Sequence, residues 1–280
     1  MAETTTVPAE GYQPAGLYYG RAMHFNDRQH RYEWDGKFVP GVTTILKRLN
    51  KPALIQWAAS MACDHIRAHG DYDPDSAGWF VSEECLDAAR VAHASFRDKA
   101  ADIGTSVHKY AEAVLKGEPI EVADDERVRA GVTAFEDWLK AHEIVPFALE
   151  RRILSRKFFY AGTTDFFGRI DGEYAVLDFK TSGAIYDEMW LQTAAYELAL
   201  HEELQIDDPI TRWLIRLDKK TGKFEAQSQP YSALHEDAWI NLVELNKCLT
   251  KIEDQRKLSN GIRTRRPRSR MISPTASRRT

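Results

Sequence analysis

The sequence predicts an α/β fold, a mixed central sheet flanked by helices, from three observations. Near Val145 the hydrophobic pattern changes from the helical period of about 3.6 residues to the two-residue alternation of strands. From residue 104 the elements read helix, helix, three strands, helix, strand, strand, helix. Within the strand region, Asp171-Gly172 separates two apolar-rich runs, the strongest short-range signal for a hairpin with a two-residue type I′ turn.

Each element has a local reason. Residues 1–16, polar and broken by Pro8, Gly11, Pro14 and Gly16, read as disordered. Ala22–Phe25, Arg31–Trp34 and Lys37-Phe38-Val39 predict a small β-meander. Short helices are expected at Thr44–Leu49 and Leu54–His69, then an acidic loop at Gly70–Ala77. Ser82-Glu83-Glu84 starts a helix to about Lys99, and Gly104-Thr105 starts another to Lys116. Val128, Val132, Phe135, Trp138 and Leu139 form the stripe of a helix over about Asp124–His142. Strands follow at Ala148–Leu154, Phe159–Ile170 and Tyr174–Lys180, then a helix at Asp187–Leu200. Strands Ile210–Leu217 and Lys223–Ser228 surround a turn at Asp218–Gly222. A last helix runs from Ser232 to about Ile252, with Ala238, Leu242, Leu245, Leu249 and Ile252 on its apolar face. Four units are expected: 1–16, a meander and helical extension over 17–100, a main domain over 101–257, and a basic flexible tail over 258–280.

The hairpin makes a geometric claim. With Asp171 and Gly172 as the loop, Ile170 pairs with Glu173, and the register carries back until Asp165 lies opposite Asp178. Alternation then puts Asp165, Asp178 and Lys180 on one face, and Phe166, Ile170, Ala175, Leu177 and Phe179 on the other, which reads as core. Opposed carboxylates with Cβ atoms roughly 5 Å apart destabilise a sheet, so a cation belongs between them. A divalent metal fills that place, and the lysine completes a hydrolytic site.

Composition sets the bounds. The 280 residues, 43% hydrophobic, suffice for one substantial core with an added subdomain. The net charge of −4 hides ten Lys/Arg against two acids in residues 251–280. That tail either reaches a polyanion or merely solubilises the chain; charge alone supports both readings. Cys63, Cys85 and Cys248 show no CxxC spacing, which argues against a zinc ribbon or a disulfide framework and suits a reducing cytoplasm. No apolar run has the length of a membrane helix, and the polar start lacks a signal-peptide pattern.

Five motifs in order carry a resemblance. Gly104-Thr105-Ser106-Val107-His108 with Glu112, then Glu150, Gly162-Thr163-Thr164-Asp165, Asp178-Phe179-Lys180-Thr181, and Gln192 with Tyr196 resemble the RecB-type branch of the PD-(D/E)xK nuclease superfamily. The likeness covers about residues 100–200. It implies a restriction-endonuclease-like sheet with an N-terminal β-hairpin and helical extension. It also implies Mg²⁺ or Mn²⁺ held by His108, Asp165, Asp178 and the Phe179 carbonyl, hard oxygen donors with one imidazole. Lys180 would hold or deprotonate the attacking water, while Gln192 and Tyr196, four residues apart on one helix face, would border the site and contact the lysine or DNA. Glu150 reads equally as a metal-linked carboxylate or as the start of a solvent-facing strand. Arg151, Arg152 and Thr181 are candidate DNA contacts, although the arginines could equally form a solvated edge. The four cysteines of cluster-bearing relatives are absent, so no iron–sulfur cluster is expected.

The implied activity is a metal-dependent DNA exonuclease of phage or prophage type, serving recombination, replication or degradation in the host cytoplasm. It would act on linear ends, with a recombination or single-strand-annealing protein as an implied partner and no membrane. Two rivals are a structure-specific endonuclease and a non-catalytic DNA-end-binding or nuclease-inhibiting module. The intact Asp…Asp-x-Lys set counts against the latter.

Overall fold

Asp171 and Gly172 adopt φ values of 53° and 84°, the two left-handed residues that a type I′ turn demands. The hairpin closes in the expected register, with Ile170 opposite Glu173 and Phe166 opposite Leu177. In the computed structural model, which describes residues 17–264 apart from 20, 27–28, 30, 119–125 and 219–222, this hairpin lies at the centre of a five-stranded sheet.

The N-terminal strands β1 (Leu17–Tyr18), β2 (Arg21–Asn26), β3 (Arg31–Trp34) and β4 (Lys37–Val39) form a small antiparallel sheet. Two helices follow, α1 (Val42–Leu46) and α2 (Pro52–His69). Where an acidic loop was expected, β5 (Asp71–Asp73) pairs with β6 (Gly78–Phe80). The two helices expected between Ser82 and Lys116 are one, α3 (Glu83–Lys116), capped by the Ser82 hydroxyl on the Cys85 amide at 3.2 Å and ended by left-handed Gly117. Gly104 does not break it: one glycine costs a helix about 1 kcal/mol, while a proline would cost about 3. The helix therefore runs unbroken across residues 100 and 101, where a unit boundary was expected.

The main sheet contains β7 (Ile144–Ser155), β8 (Tyr160–Ile170), β9 (Glu173–Lys180), β10 (Ile210–Leu217) and β11 (Phe224–Gln229), in the order β11-β10-β9-β8-β7. Only β9 and β10 run parallel, because α5 (Asp187–Leu204) carries the chain between them. One face packs against α1, α5 and α6 (Ala233–Thr264), through Phe167, Val176, Tyr196, Leu200 and Trp239. The other packs against α3 and α4 (Glu126–Ala141), through Val132, Phe135, Trp138, Phe166, Leu177 and Phe179. This mixed sheet between helical layers is the restriction-endonuclease-like arrangement.

Three expectations need correction. The face shared by Asp165, Asp178 and Lys180 is core as well, because Phe167, Tyr174 and Val176 on it meet α5 and α6. On α6 the buried residues are Trp239, Leu242, Val243 and Asn246, while Leu245 and Ile252 are exposed. The large Trp239 indole, edge-on to Tyr160 at 5.0 Å, sets the rotation of the helix. Residues 259–264 continue α6 instead of beginning a tail; residues 1–16 and 265–280 lie outside the described residues.

Gly168 is fixed by a close approach of backbones. A Cβ there would sit 2.2 Å from the Val145 carbonyl oxygen and 3.0 Å from Pro146 Cα, beside the bulge in β7 between Pro146 and Ala148. Gly168→Ala is expected to lower stability by about 1–3 kcal/mol, as overpacking of a tight core does. Urea denaturation would read this as a lower midpoint at an unchanged slope.

Candidate active site

The site forms where two neighbouring strands part. Pairing between β8 and β9 ends at Phe166 and Leu177. Beyond that point Asp178, Phe179 and Lys180 pair only with Leu214, Ile215 and Arg216 of β10, and residues 160–164 pair with β7. The Asp165 carboxylate spans the gap, its Oδ2 accepting the Phe179 backbone N–H at 2.7 Å. A side chain thus takes the bond that the next rung would have made.

A third carboxylate joins from the edge strand. Leu149 pairs with Phe166 and Arg151 with Thr164, so Glu150 falls opposite Asp165. Its φ of +49° is left-handed, uncommon for a residue with a side chain. Glu150, Asp165 and Asp178 therefore stand on three adjacent strands. Burial and then the charge of Asp178 hold the Asp165 carboxyl well above the usual carboxylate range, against the pull of Lys180. Burial raises Glu150 too, followed by the charges of Glu112 and Asp178.

Lys180 is held between β9 and α5. Its Nζ pairs with the Asp178 carboxylate and donates to Gln192 Oε1 at 2.9 Å. The Gln192 amide nitrogen donates to Asp178 Oδ1 at 3.1 Å and to the Tyr196 hydroxyl at 2.7 Å. One glutamine thus fixes a carboxylate, a lysine and a tyrosine, using both ends of its amide. Tyr196 is 2% exposed, and Gly162 makes room for it, since a Cβ there would lie 2.8 Å from the ring. Arg216 secures the chain after Lys180 by donating to the Ser182 and Gly183 carbonyls at 3.1 and 3.2 Å, while pairing with Glu225.

These groups line a cleft of about 370 Å³. They share the lining with Phe25, Tyr32, Val42, Thr43 and Arg152. Sequence reasoning found Arg152 among these and missed the wall formed by Phe25 and Tyr32. It is docked by the Ala161 N–H donating to the Pro40 carbonyl at 3.0 Å and by the Tyr32 and Thr163 hydroxyls at 2.9 Å, contacts across more than a hundred residues that no local spacing announces.

The remaining candidates divide. Arg151 is not a solvent-facing DNA contact: it is 4% exposed and pairs with Glu203 at 2.7 Å. Burial outweighs that partner and lifts the Glu203 carboxyl to about 7. The left-handed Glu150 explains the reversal, since Leu149 packs towards α3 and α4 but Ile153 towards α5 and α6, so the alternation changes phase between them. Arg152 takes the cleft position instead. Thr181 follows β9, half-buried, and does not line the cleft. His108 belongs to α3, but its side chain lies outside the described residues.

Among the described residues no three His, Cys, Asp or Glu side chains are grouped so as to hold a metal ion by themselves. The donor chemistry nevertheless fits a hard divalent cation: adjacent carboxylates, one of them pushed towards protonation, and a buried Asp178 Oδ2 that meets the Lys180 ammonium without a well-directed hydrogen bond. The sign for stability follows. A folded-state carboxyl raised above its unfolded value near 3.9 favours the native state at low pH and loses that contribution as pH rises through the folded value. In EDTA, Asp165→Asn is therefore expected to raise the thermal midpoint at neutral pH, with the gain vanishing near pH 4. Thermal unfolding from pH 4 to 8 reads this, and a gain that grows towards acid would contradict it.

No curated relative matches the chain. Among solved structures it is similar to a "Putative exonuclease" from Eubacterium rectale, with a TM-score of 0.39 and 11% identity, covering 61% of this chain and 77% of that one. It is also similar to SSO0001, with a TM-score of 0.34 and 14% identity, covering 70% and 86%. The model of the PD-(D/E)XK nuclease superfamily matches residues 77–264, a span that holds the whole main sheet and all three cleft carboxylates, and the chain belongs to that superfamily.

Proposed function

We propose that the protein is a divalent-metal-dependent DNA exonuclease of phage or prophage type, acting on linear ends in recombination, replication or DNA degradation. One observation carries the chemistry: Lys180 is fixed by Gln192 and Asp178 at the edge of a carboxylate set whose charges call for a cation. Asp165, Asp178 and the Phe179 carbonyl would hold Mg²⁺ or Mn²⁺, with His108 and Glu150 completing the set. The bound ion supplies Lewis acidity towards the scissile phosphate and acidifies water.

The chain's own groups do the rest. Lys180 orients the attacking water and offers its charge to the pentavalent phosphorus centre. Gln192 gives the lysine a second acceptor beside Asp178, because its carbonyl oxygen claims one ammonium proton. Tyr196 anchors the far end of that amide. Family resemblance supports a 5′-phosphate and a 3′-hydroxyl as products, and exonuclease rather than endonuclease action. The basic residues beyond 250 would add non-specific phosphate contacts, and an annealing protein would be the natural recipient of the resected strand.

End-labelled linear and covalently closed circular DNA, incubated with Mg²⁺, Mn²⁺ or EDTA, test the reading. Linear DNA should shorten from its ends, the circle should persist, and EDTA should stop the reaction. Lys180→Ala should lower kcat by roughly 10²–10⁴-fold, and Gln192→Ala by about 10–100-fold, with a retained cooperative thermal transition above the assay temperature as the control for folding. Cleavage by Lys180→Ala at the wild-type rate would sink the mechanism; cutting of the circle would transfer the proposal to the endonuclease reading.

A further inference from the structure

Phe25 and Tyr32 of the N-terminal sheet form a firmly built part of the cleft lining. Phe25 and Tyr32 are direct cross-strand partners, with ring centroids 4.5 Å apart and planes inclined by 38°. Tyr32 is 5% exposed, its hydroxyl tied to Thr163 on β8 at 2.9 Å. Phe25, half-buried, thus rests on a fixed support and presents part of its ring to the cleft. The exposed Arg152 lines the same wall, its guanidinium carbon 5.6 Å from the Phe25 ring centroid.

Charge and size indicate what this wall can receive. Glu150, Asp165 and Asp178 bring negative charge to the cleft, with Lys180 among them paired to Asp178 and Gln192 at the scissile position. Arg152, over the Phe25 ring, adds a cation to the same lining, with the planar donor geometry that suits phosphate oxygens. An aromatic face beside a phosphate-seeking guanidinium is the pairing that holds single-stranded nucleic acid, base on ring and phosphate on cation. A cleft of about 370 Å³ is near the lower end of the range of roughly 300–1,000 Å³ for small-ligand sites, space for about one nucleotide.

We propose that Phe25 and Arg152 form a subsite for one unpaired nucleotide beside the scissile phosphate, so that single-stranded or frayed termini are the substrate class. Tyr32 is a positioning residue that keeps Phe25 at the right height. The inference rests on the nuclease reading above, which supplies the scissile phosphate.

Binding separates the two. Lys180→Ala protein, which should not cleave, is titrated with a short single strand carrying terminal 2-aminopurine and with a blunt duplex of the same sequence. Stacking on Phe25 should quench the probe. Phe25→Ala should abolish the quenching and weaken single-strand affinity roughly ten-fold while leaving the duplex within about two-fold, and Phe25→Trp should restore quenching. Arg152→Gln should lower the salt slope of single-strand binding by about 0.7. Unaltered quenching and affinity in Phe25→Ala, or equal losses on single strand and duplex, would overturn the subsite. A wild-type protein that fails to cleave but shows Phe25-dependent quenching would refute the nuclease reading and leave the subsite standing. EDTA-sensitive cleavage with both wall variants behaving as wild type would do the reverse.

Discussion

All of the site depends on β8 and β9 separating after Phe166 and Leu177. Had the ladder continued, Asp165 and Asp178 would face each other as an ordinary like-charge pair, a destabilising arrangement with no room for substrate. The separation opens the cleft, and the Asp165 carboxylate satisfies the Phe179 amide that it exposes. The same group therefore closes a gap in backbone hydrogen bonding and supplies negative charge. The small sheet fills the space on the other side of the gap, with Gly41 bridging Ala161.

A site of this kind works against the stability of its own fold. Three carboxylates are gathered where burial raises two of them, and one lysine answers part of that charge. The opposing stabilisation comes from cores on both faces of the sheet. Phe167, Val176 and Leu200 are among the buried apolar residues on one side, Phe166, Leu177 and Phe135 on the other. Burying a large apolar side chain contributes roughly 1.5–3 kcal/mol, so a few such residues on each face outweigh one strained polar cluster. Gln192 matters because it gives three polar groups partners at once, which keeps a half-satisfied network from forming.

Local chemistry made much of this legible in advance. A two-residue turn fixed the hairpin register from Ile170 and Glu173 back to Phe166 and Leu177, because pairing in a hairpin is counted outward from its loop; counting could not show that the strands part before Asp165 and Asp178, which the expected register places opposite each other. The four-residue interval between Gln192 and Tyr196 likewise sufficed to put both on one side of α5. What escaped notice depended on distant or irregular geometry. The Phe25–Tyr32 wall is joined to the cleft by contacts more than a hundred residues apart in sequence. The burial of Arg151 follows from a change of phase at a single residue, and alternation rules assume none. The continuity of α3 escaped because a glycine was read as a break when the surrounding helix could absorb it.

Glu150 has a consequence for how this chain changes over time. A left-handed conformation costs an ordinary residue roughly 1–2 kcal/mol, a cost that glycine avoids and asparagine or aspartate reduces. Selection for folding alone would discard the glutamate, and selection for a carboxylate in the cleft would keep it. Laboratory evolution towards heat resistance, run without an assay for cleavage, should therefore erode position 150 early, and a library screened for both should leave it untouched.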